Sequence, residues 1–251
     1  MGSMQAIADW FKWLAGAHGI NVSIAYDAFD RARFLTGLST TVWLSVACIV
    51  LSILVGLVGA WLQGARSPLV RAAVAGFVQF FRNTPPLVQL AFFYFAVSAA
   101  LPMVTDQFGA RVPLVNNVGW AVISFSLFAG AFNIEIFRSG IEAVPQATTE
   151  AAEALGYTRL QSYIYVVFPL AFRICLPALG NNLVNLVKTT TLAYAIGVPE
   201  LLYAAAQVWS ETFNVREMMV VLLLTYVAIV AVLVWFMQRW ERRLRIPGYN
   251  A

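Results

Sequence analysis

The chain has 251 residues, of which 61% are hydrophobic and only 11% charged, with a mean hydropathy of +0.75. A soluble domain of this size needs far more polar surface, so these values exclude one and point to a single membrane-embedded domain. The net charge of +4 is not gathered into a stripe of Lys and Arg, which argues against a nucleic-acid partner.

Residues 1–36 precede the first apolar run. Within them Ile7, Trp10, Phe11 and Leu14 recur at helical spacing beside Asp9 and Lys12. The pattern predicts a short amphipathic helix at the outer membrane interface, with a disordered leader as the alternative. No basic stretch followed by a small-residue cleavage site opens the chain, so the first span is expected to act as the targeting signal.

A helix needs about 20 apolar residues to cross the hydrocarbon core. On that measure spans are expected over about 40–62, 85–103, 118–137, 163–187 and 218–237. The chain thus reads as all-α, a polytopic bundle of about five transmembrane helices over residues 37–248. Prolines and polar residues interrupt the second and fourth spans, which a bundle tolerates where neighbours satisfy the freed backbone groups. Gly56 and Gly59 lie on the first span, where small residues permit close helix contact. Cys48 and Cys175 sit in apolar stretches and are expected to be small buried hydrophobes rather than a disulfide or metal site.

Orientation follows from the placement of Lys and Arg. Nine fall on the side holding Arg239, Arg242, Arg243 and Arg245, the loop with Arg66, Arg71 and Arg82, and the loop with Arg138 and Arg159. Six fall opposite: Lys12, Arg31, Arg33, Arg111, Lys188 and Arg216. The bias puts the C-terminus and the loop at about 142–162 in the cytoplasm and the N-terminus outside.

That loop carries the most information. Residues 150–155 are strong helix formers, Gly156 suits a left-handed C-cap, and Thr158 with Gln161 makes a capping box that starts a second helix. Two short helices at a sharp corner form a knob whose alanines let another surface approach closely and whose Glu150 and Glu153 offer charge. Packing against the bundle and docking a partner are both open on these residues alone.

The triplet Glu150-Ala151-Ala152, Gly156 after three further residues, and Val166, Phe168 and Pro169 after nine more resemble the EAA signature of ABC importer permeases. Val stands for Ile and Phe for Leu in its closing Ile-x-Leu-Pro; Ala147 and Thr148 depart from the usual Gly-Gln before the Glu. Residues 81–89, 134–141 and 185–192 resemble segments of the polar amino acid branch, and the tail 241–248 is similar to that of glutamate/aspartate permeases. The resemblance covers roughly residues 37–248. It implies the type I ABC importer permease fold in the bacterial inner membrane. Glu150, Ala151, Ala152, Glu153, Gly156 and Pro169 would belong to the loop that sits in a groove of a cytoplasmic ATPase. The implied partners are an ABC ATPase subunit dimer carrying ATP-Mg, a second permease subunit (a heterodimer more than a homodimer), and a periplasmic or lipid-anchored substrate-binding protein. The implied cargo is a polar amino acid, leaning to glutamate or aspartate.

Charged and amide groups inside spans are costly and mark candidate sites. Glu135 and Arg138 stand three apart and suit a helical ion pair that fixes the third span, with substrate contact as the alternative. Asn181, Asn185 and Lys188 fall at i, i+4 and i+7, on one helix face. Amides serve either end of an amino acid, and Lys188 suits a carboxylate. Gln89 and Asn133 are further candidates for the substrate path, with amide bonding between helices as the competing reading.

No glycine-rich phosphate loop with Lys-Ser/Thr is present, so the chain is expected to be a transport subunit without its own ATPase site. No paired carboxylates or metal-ligand spacing suggest a membrane enzyme, and the single histidine, His18, precedes the first span. An ion-coupled secondary transporter, the main rival, predicts inverted repeats and buried carboxylates in broken helices. No repeat is evident, and Glu135 is the one candidate buried acid.

Overall fold

The structure, a computed structural model, describes residues 2–244, with side chains from residue 5 onward. Four helices are long and apolar enough to cross a membrane: Ala28–Gln63, Asn117–Glu142, the continuous run Arg159–Ile196, and Val215–Leu244. The apolar stretch Pro86–Ala100 is a shorter fifth helix. With four long helices and this short one, the expected count of about five spans holds.

In chain order, α1 is Gly2–His18, and a 3-10 turn at Ser23–Ala25 leads to α2, Ala28–Gln63. Asp27 starts α2 by accepting the backbone N–H groups of Phe29 and Asp30 at 2.8 and 2.9 Å. The boundary at residue 36 therefore falls inside a helix. The amphipathic leader is helical, with Ile7, Trp10 and Trp13 exposed.

Two helices were not among the expected spans. After α2, the basic loop folds into α3, Pro68–Asn83, which buries Val74, Val78 and Phe81 along one face. Pro68 sits at its start and Thr84-Pro85 ends it, as a missing N–H and fixed φ dictate. The short fifth helix comprises α4, Pro86–Ala91, a π-helical turn Phe92–Val97, and α5, Ser98–Ala100. Strands β1, Met103–Thr105, and β2, Arg111–Pro113, then pair antiparallel with Val104 opposite Val112. The hairpin turns on Asp106, which accepts from the N–H groups of Phe108 and Ala110, and on Gly109 at φ +79.

Helix α6 is Asn117–Glu142, followed by α7, Gln146–Ala154, and α8, Arg159–Ser162. A second π turn, Tyr163–Val167, leads into α9, Phe168–Thr189, which carries Pro177 in its interior. A 3-10 segment, Thr190–Ile196, and Gly197 at φ +72 break the chain before α10, Leu201–Thr212, the second unexpected helix. Helix α11, Val215–Leu244, ends the described chain, so the end of the 241–248 tail and Arg245 lie outside the described residues.

By contacts the chain divides into two compact units, one of residues up to 47, 90–122 and 187–230, the other of 48–89, 123–186 and 231 onward. In the first, the start of α2, all of α10 and the start of α11 pack through Phe34, Leu201, Ala205, Val208, Met218 and Leu222. In the second, α2, α6, α9 and the end of α11 close on Ala60, Phe137, Cys175, Leu176, Leu179, Leu183 and Met237. Both cysteines are buried and free, as expected. Glycines on α2 and α6 set the closeness of these helices. A Cβ on Gly56 would lie 2.5 Å from that of Asn133, one on Gly130 would lie 2.5 Å from Val55, and one on Gly59 would overlap Ile134.

Candidate functional site

The loop of residues 142–162 is the knob that its sequence implies, with each cap in place. Gly156, at φ +89, closes α7 in a Schellman motif: its N–H bonds to the carbonyl of Glu153, and that of Tyr157 reaches Ala152. Thr158 opens α8 with a reciprocal capping box to Gln161. Ala152 is buried beneath the knob, whereas Glu150, Ala151, Glu153 and Gly156 are exposed.

The exposed surface of the knob mixes charged and large apolar side chains. Leu155 is 81% exposed and Leu160 68%, so the loop carries large hydrophobic side chains that this chain leaves uncovered. A cleft of about 530 Å³ lies beside it, lined by Gln146, Thr149, Glu150, Glu153, Arg159 and Tyr163, with Ile141, Val144 and Val167 at its base. Behind the knob, Val144 of the linker packs on Val167 and Ala171, and the π turn joins α8 to α9. Pro169 is exposed in the first turn of α9, where the π turn has already broken the regular ladder to which a proline contributes no N–H.

Glu135 and Arg138 form the expected ion pair at 2.8 Å, and the pair is the centre of a larger cluster. Arg138 also binds Glu142 at 2.8 Å, Gln63 of α2 donates to Glu135 at 3.2 Å, and Arg82 of α3 stands 3.8 Å from the same carboxylate. Three helices thus meet on Glu135. The cluster links α6 to α2 and α3.

Gln89 and Asn133 are both buried and bonded within the chain. Gln89 is 3% exposed, and its amide donates to the carbonyls of Phe81 and Thr84, which ties the corner between α3 and α4. Asn133 is fully buried. It donates to Ser52 of α2 at 3.2 Å and accepts from Asn182 of α9 at 2.8 Å, while Asn182 also donates to the carbonyl of Ala129. Asn133 and Asn182 thus bridge α2, α6 and α9. Asn181, Asn185 and Lys188 lie instead on the exposed face of α9, opposite buried Leu183, Leu186 and Val187. The 3.6-residue period separates the two amides at 181 and 182, one outward and one inward.

Sequence reasoning missed the buried acid Glu200. Its side chain is fully buried and caps α10 by accepting from the N–H groups of Leu202 and Tyr203, and it also accepts from the Tyr226 hydroxyl at 2.9 Å. Thr41 of α2 accepts from the N–H of Leu201. This carboxylate is fully engaged as a helix cap. The run Gly197-Val198-Pro199-Glu200 before two leucines carries the signal of a helix start, although it interrupts an otherwise apolar stretch.

Among the described residues no group of three or more His, Cys, Asp or Glu could hold a metal ion.

Comparison with known proteins agrees with this arrangement. The chain is 30% identical over 213 residues to the glutamine transport system permease protein GlnP of Escherichia coli (strain K12), an alignment spanning 84% of this chain and 93% of the relative. It is 31% identical over 215 residues to the histidine/lysine/arginine/ornithine transport system permease protein HisM of Salmonella typhimurium, covering 85% and 90%. Among solved structures, one described as an amino acid ABC transporter with histidines superposes with a TM-score of 0.73 at 27% identity, over 85% of this chain and 94% of that one. An inward-facing MetNI methionine ABC transporter shares the fold at 18% identity, with a TM-score of 0.66. The all-α bundle is therefore that of ABC importer permeases, and its members are transport components rather than enzymes. Residues 52–246 match the family described as "Binding-protein-dependent transport system inner membrane component", and with more than half of its length so matched the chain belongs to that family of multi-pass inner-membrane proteins.

Proposed function

We propose that this chain is a permease subunit of an ATP-driven ABC importer that moves a polar amino acid inward by alternating access. The observation that carries the reading is the capped α7–α8 knob, a rigid two-helix projection with uncovered Leu155 and Leu160 beside Glu150 and Glu153. Such a surface fits a groove on a separate ATPase subunit. ATP-Mg bound there supplies the free energy, and this chain supplies the two-state gate. The polar amino acid clause draws its support from the named cargoes of the relatives, glutamine and histidine/lysine/arginine/ornithine. The leaning to glutamate or aspartate rests on the 241–248 tail, and neither relative's name adds to it.

The knob side is taken as cytoplasmic and the N-terminus as external, on the charge bias of nine Lys and Arg against six. A second permease subunit completes the path, with a heterodimer favoured, and an external binding protein delivers the amino acid. Within the path the exposed α9 face of Asn181, Asn185 and Lys188 is the substrate-contacting element, with Gln89 and Asn133 as further candidates whose amides also bond within the chain.

The test is reconstitution of the chain with candidate partner subunits in lipid, reading substrate-stimulated ATP hydrolysis and uptake. Replacing both Glu150 and Gly156 should abolish coupling between hydrolysis and uptake; unchanged coupling overturns the docking role of the knob. Lys188→Met should slow uptake severalfold without loss of assembly, and wild-type uptake would remove the α9 face from the path.

A further inference from the structure

Phe213 is the one non-glycine residue with positive φ among the described residues, at φ 55 and ψ 21, and it is 88% exposed. A bulky side chain in the left-handed region is disfavoured, and a ring left exposed gains no packing within the chain to offset it. Such strain persists only where the surroundings over-determine the conformation. They do so here on both sides. The Phe213 N–H closes α10 on the carbonyl of Trp209, and the next residue, Asn214, is buried and donates to the carbonyl of Asn21 at 3.0 Å and the hydroxyl of Ser23 at 3.3 Å.

The charged residues that flank the turn in sequence are paired. Glu211 binds Arg33 at 3.0 Å, Arg33 lies 4.5 Å over the exposed ring of Phe29, and Arg216 pairs with Glu217 at 2.8 Å. A rigidly presented aromatic group with a neutralised polar rim has the anatomy of a protein-binding hot spot. A second permease would meet the flanks of the spanning helices, and lipid chains would meet their apolar bands. Phe213 sits on neither, at the tip of the turn between α10 and α11.

We infer that Phe213 is an anchor for the folded substrate-binding protein, seated on the external end of the permease. The inference rests on the importer reading and its orientation: the α10–α11 turn lies one spanning helix before the cytoplasmic C-terminus, which puts it outside. The family itself depends on a binding protein, and an exposed aromatic on a preformed turn presents a contact without further ordering cost.

The experiment uses the full chain in lipid nanodiscs with its partner subunits and the substrate-binding protein that stimulates ATP hydrolysis by the wild-type complex. Phe213→Ala and Phe213→Gly should each raise the half-saturating concentration of that protein at least tenfold and leave unstimulated hydrolysis unchanged. Phe213→Gly should also melt at or above the wild-type temperature, because glycine adopts the left-handed conformation without cost. Wild-type half-saturation in both variants overturns the anchor, as does a benzophenone photoprobe at position 213 that labels only lipid at saturating binding protein. A wild-type complex that hydrolyses ATP but answers to no such protein overturns the importer reading, and the anchor with it.

Discussion

The α7–α8 knob and the α2–α6–α9 interior belong to one unit and are both rich in small and polar residues, yet they keep their shape by opposite means. Every bond that shapes the knob is local: Tyr157 to Ala152, Gly156 to Glu153, Thr158 to Gln161. The interior is joined across the sequence, Ser52 to Asn133 and Asn133 to Asn182, with Gly56 and Gly130 admitting the facing helices. A motif whose hydrogen bonds close locally holds its own shape and can be offered to a partner. A long-range amide network must be dry and packed before it stabilises anything, so its residues report on folding rather than on docking.

This contrast is open to being broken. The largest effect is expected from Gly56→Leu, where even a Cβ would stand 2.5 Å from Asn133. The overpacking should cost about 3 kcal/mol or more, and detergent melting should show an aggregated or far less stable chain. Gly156→Val comes next: a β-branched residue at φ +89 should cost about 2 kcal/mol within the knob. Its expected signature is normal helicity and melting of the bundle with loss of ATPase association in pull-down. A fall in global melting equal to that of Gly56→Leu would refute the claim that the knob is independent.

Asn133→Ala should cost about 1–2 kcal/mol, since it removes a fully buried side chain bonded to two other helices. It should lower the unfolding midpoint in denaturing detergent while the permease that remains folded still binds the ATPase. Thr158→Ala is the mildest, about 1 kcal/mol of local helix stability through loss of the cap. Faster amide hydrogen exchange confined to residues 158–162 would sharpen the contrast, and exchange spreading into α6 or α9 would blur it.

The knob was legible in the chain because capping boxes and left-handed glycines act over three to six residues, the range in which sequence order and spatial contact coincide. The same holds for the Glu135–Arg138 pair, one turn apart, and for the face shared by Asn181, Asn185 and Lys188. Gln89 and Asn133 were legible only as polar groups in apolar surroundings. Whether such a group faces a path or a neighbouring helix depends on partners up to 81 residues away. Helix α3 escaped notice because its 16 residues are too few for a span and are interrupted by Arg71, Gln79 and Arg82. Helix α10 escaped because it is too short to span and follows α9 with little change in composition.

Composition and periodicity by themselves determined membrane residence, the long spans and the knob, because each depends on averages over about 20 residues or on bonds within one turn. Only the tertiary structure decided which polar groups bond across helices, that Glu200 is an engaged cap, that α2 begins at Ala28, and that Phe213 is held strained and bare. In those cases the energy lies in contacts between segments far apart in the chain, and burial of a charge or exposure of a ring is a property of the packed whole.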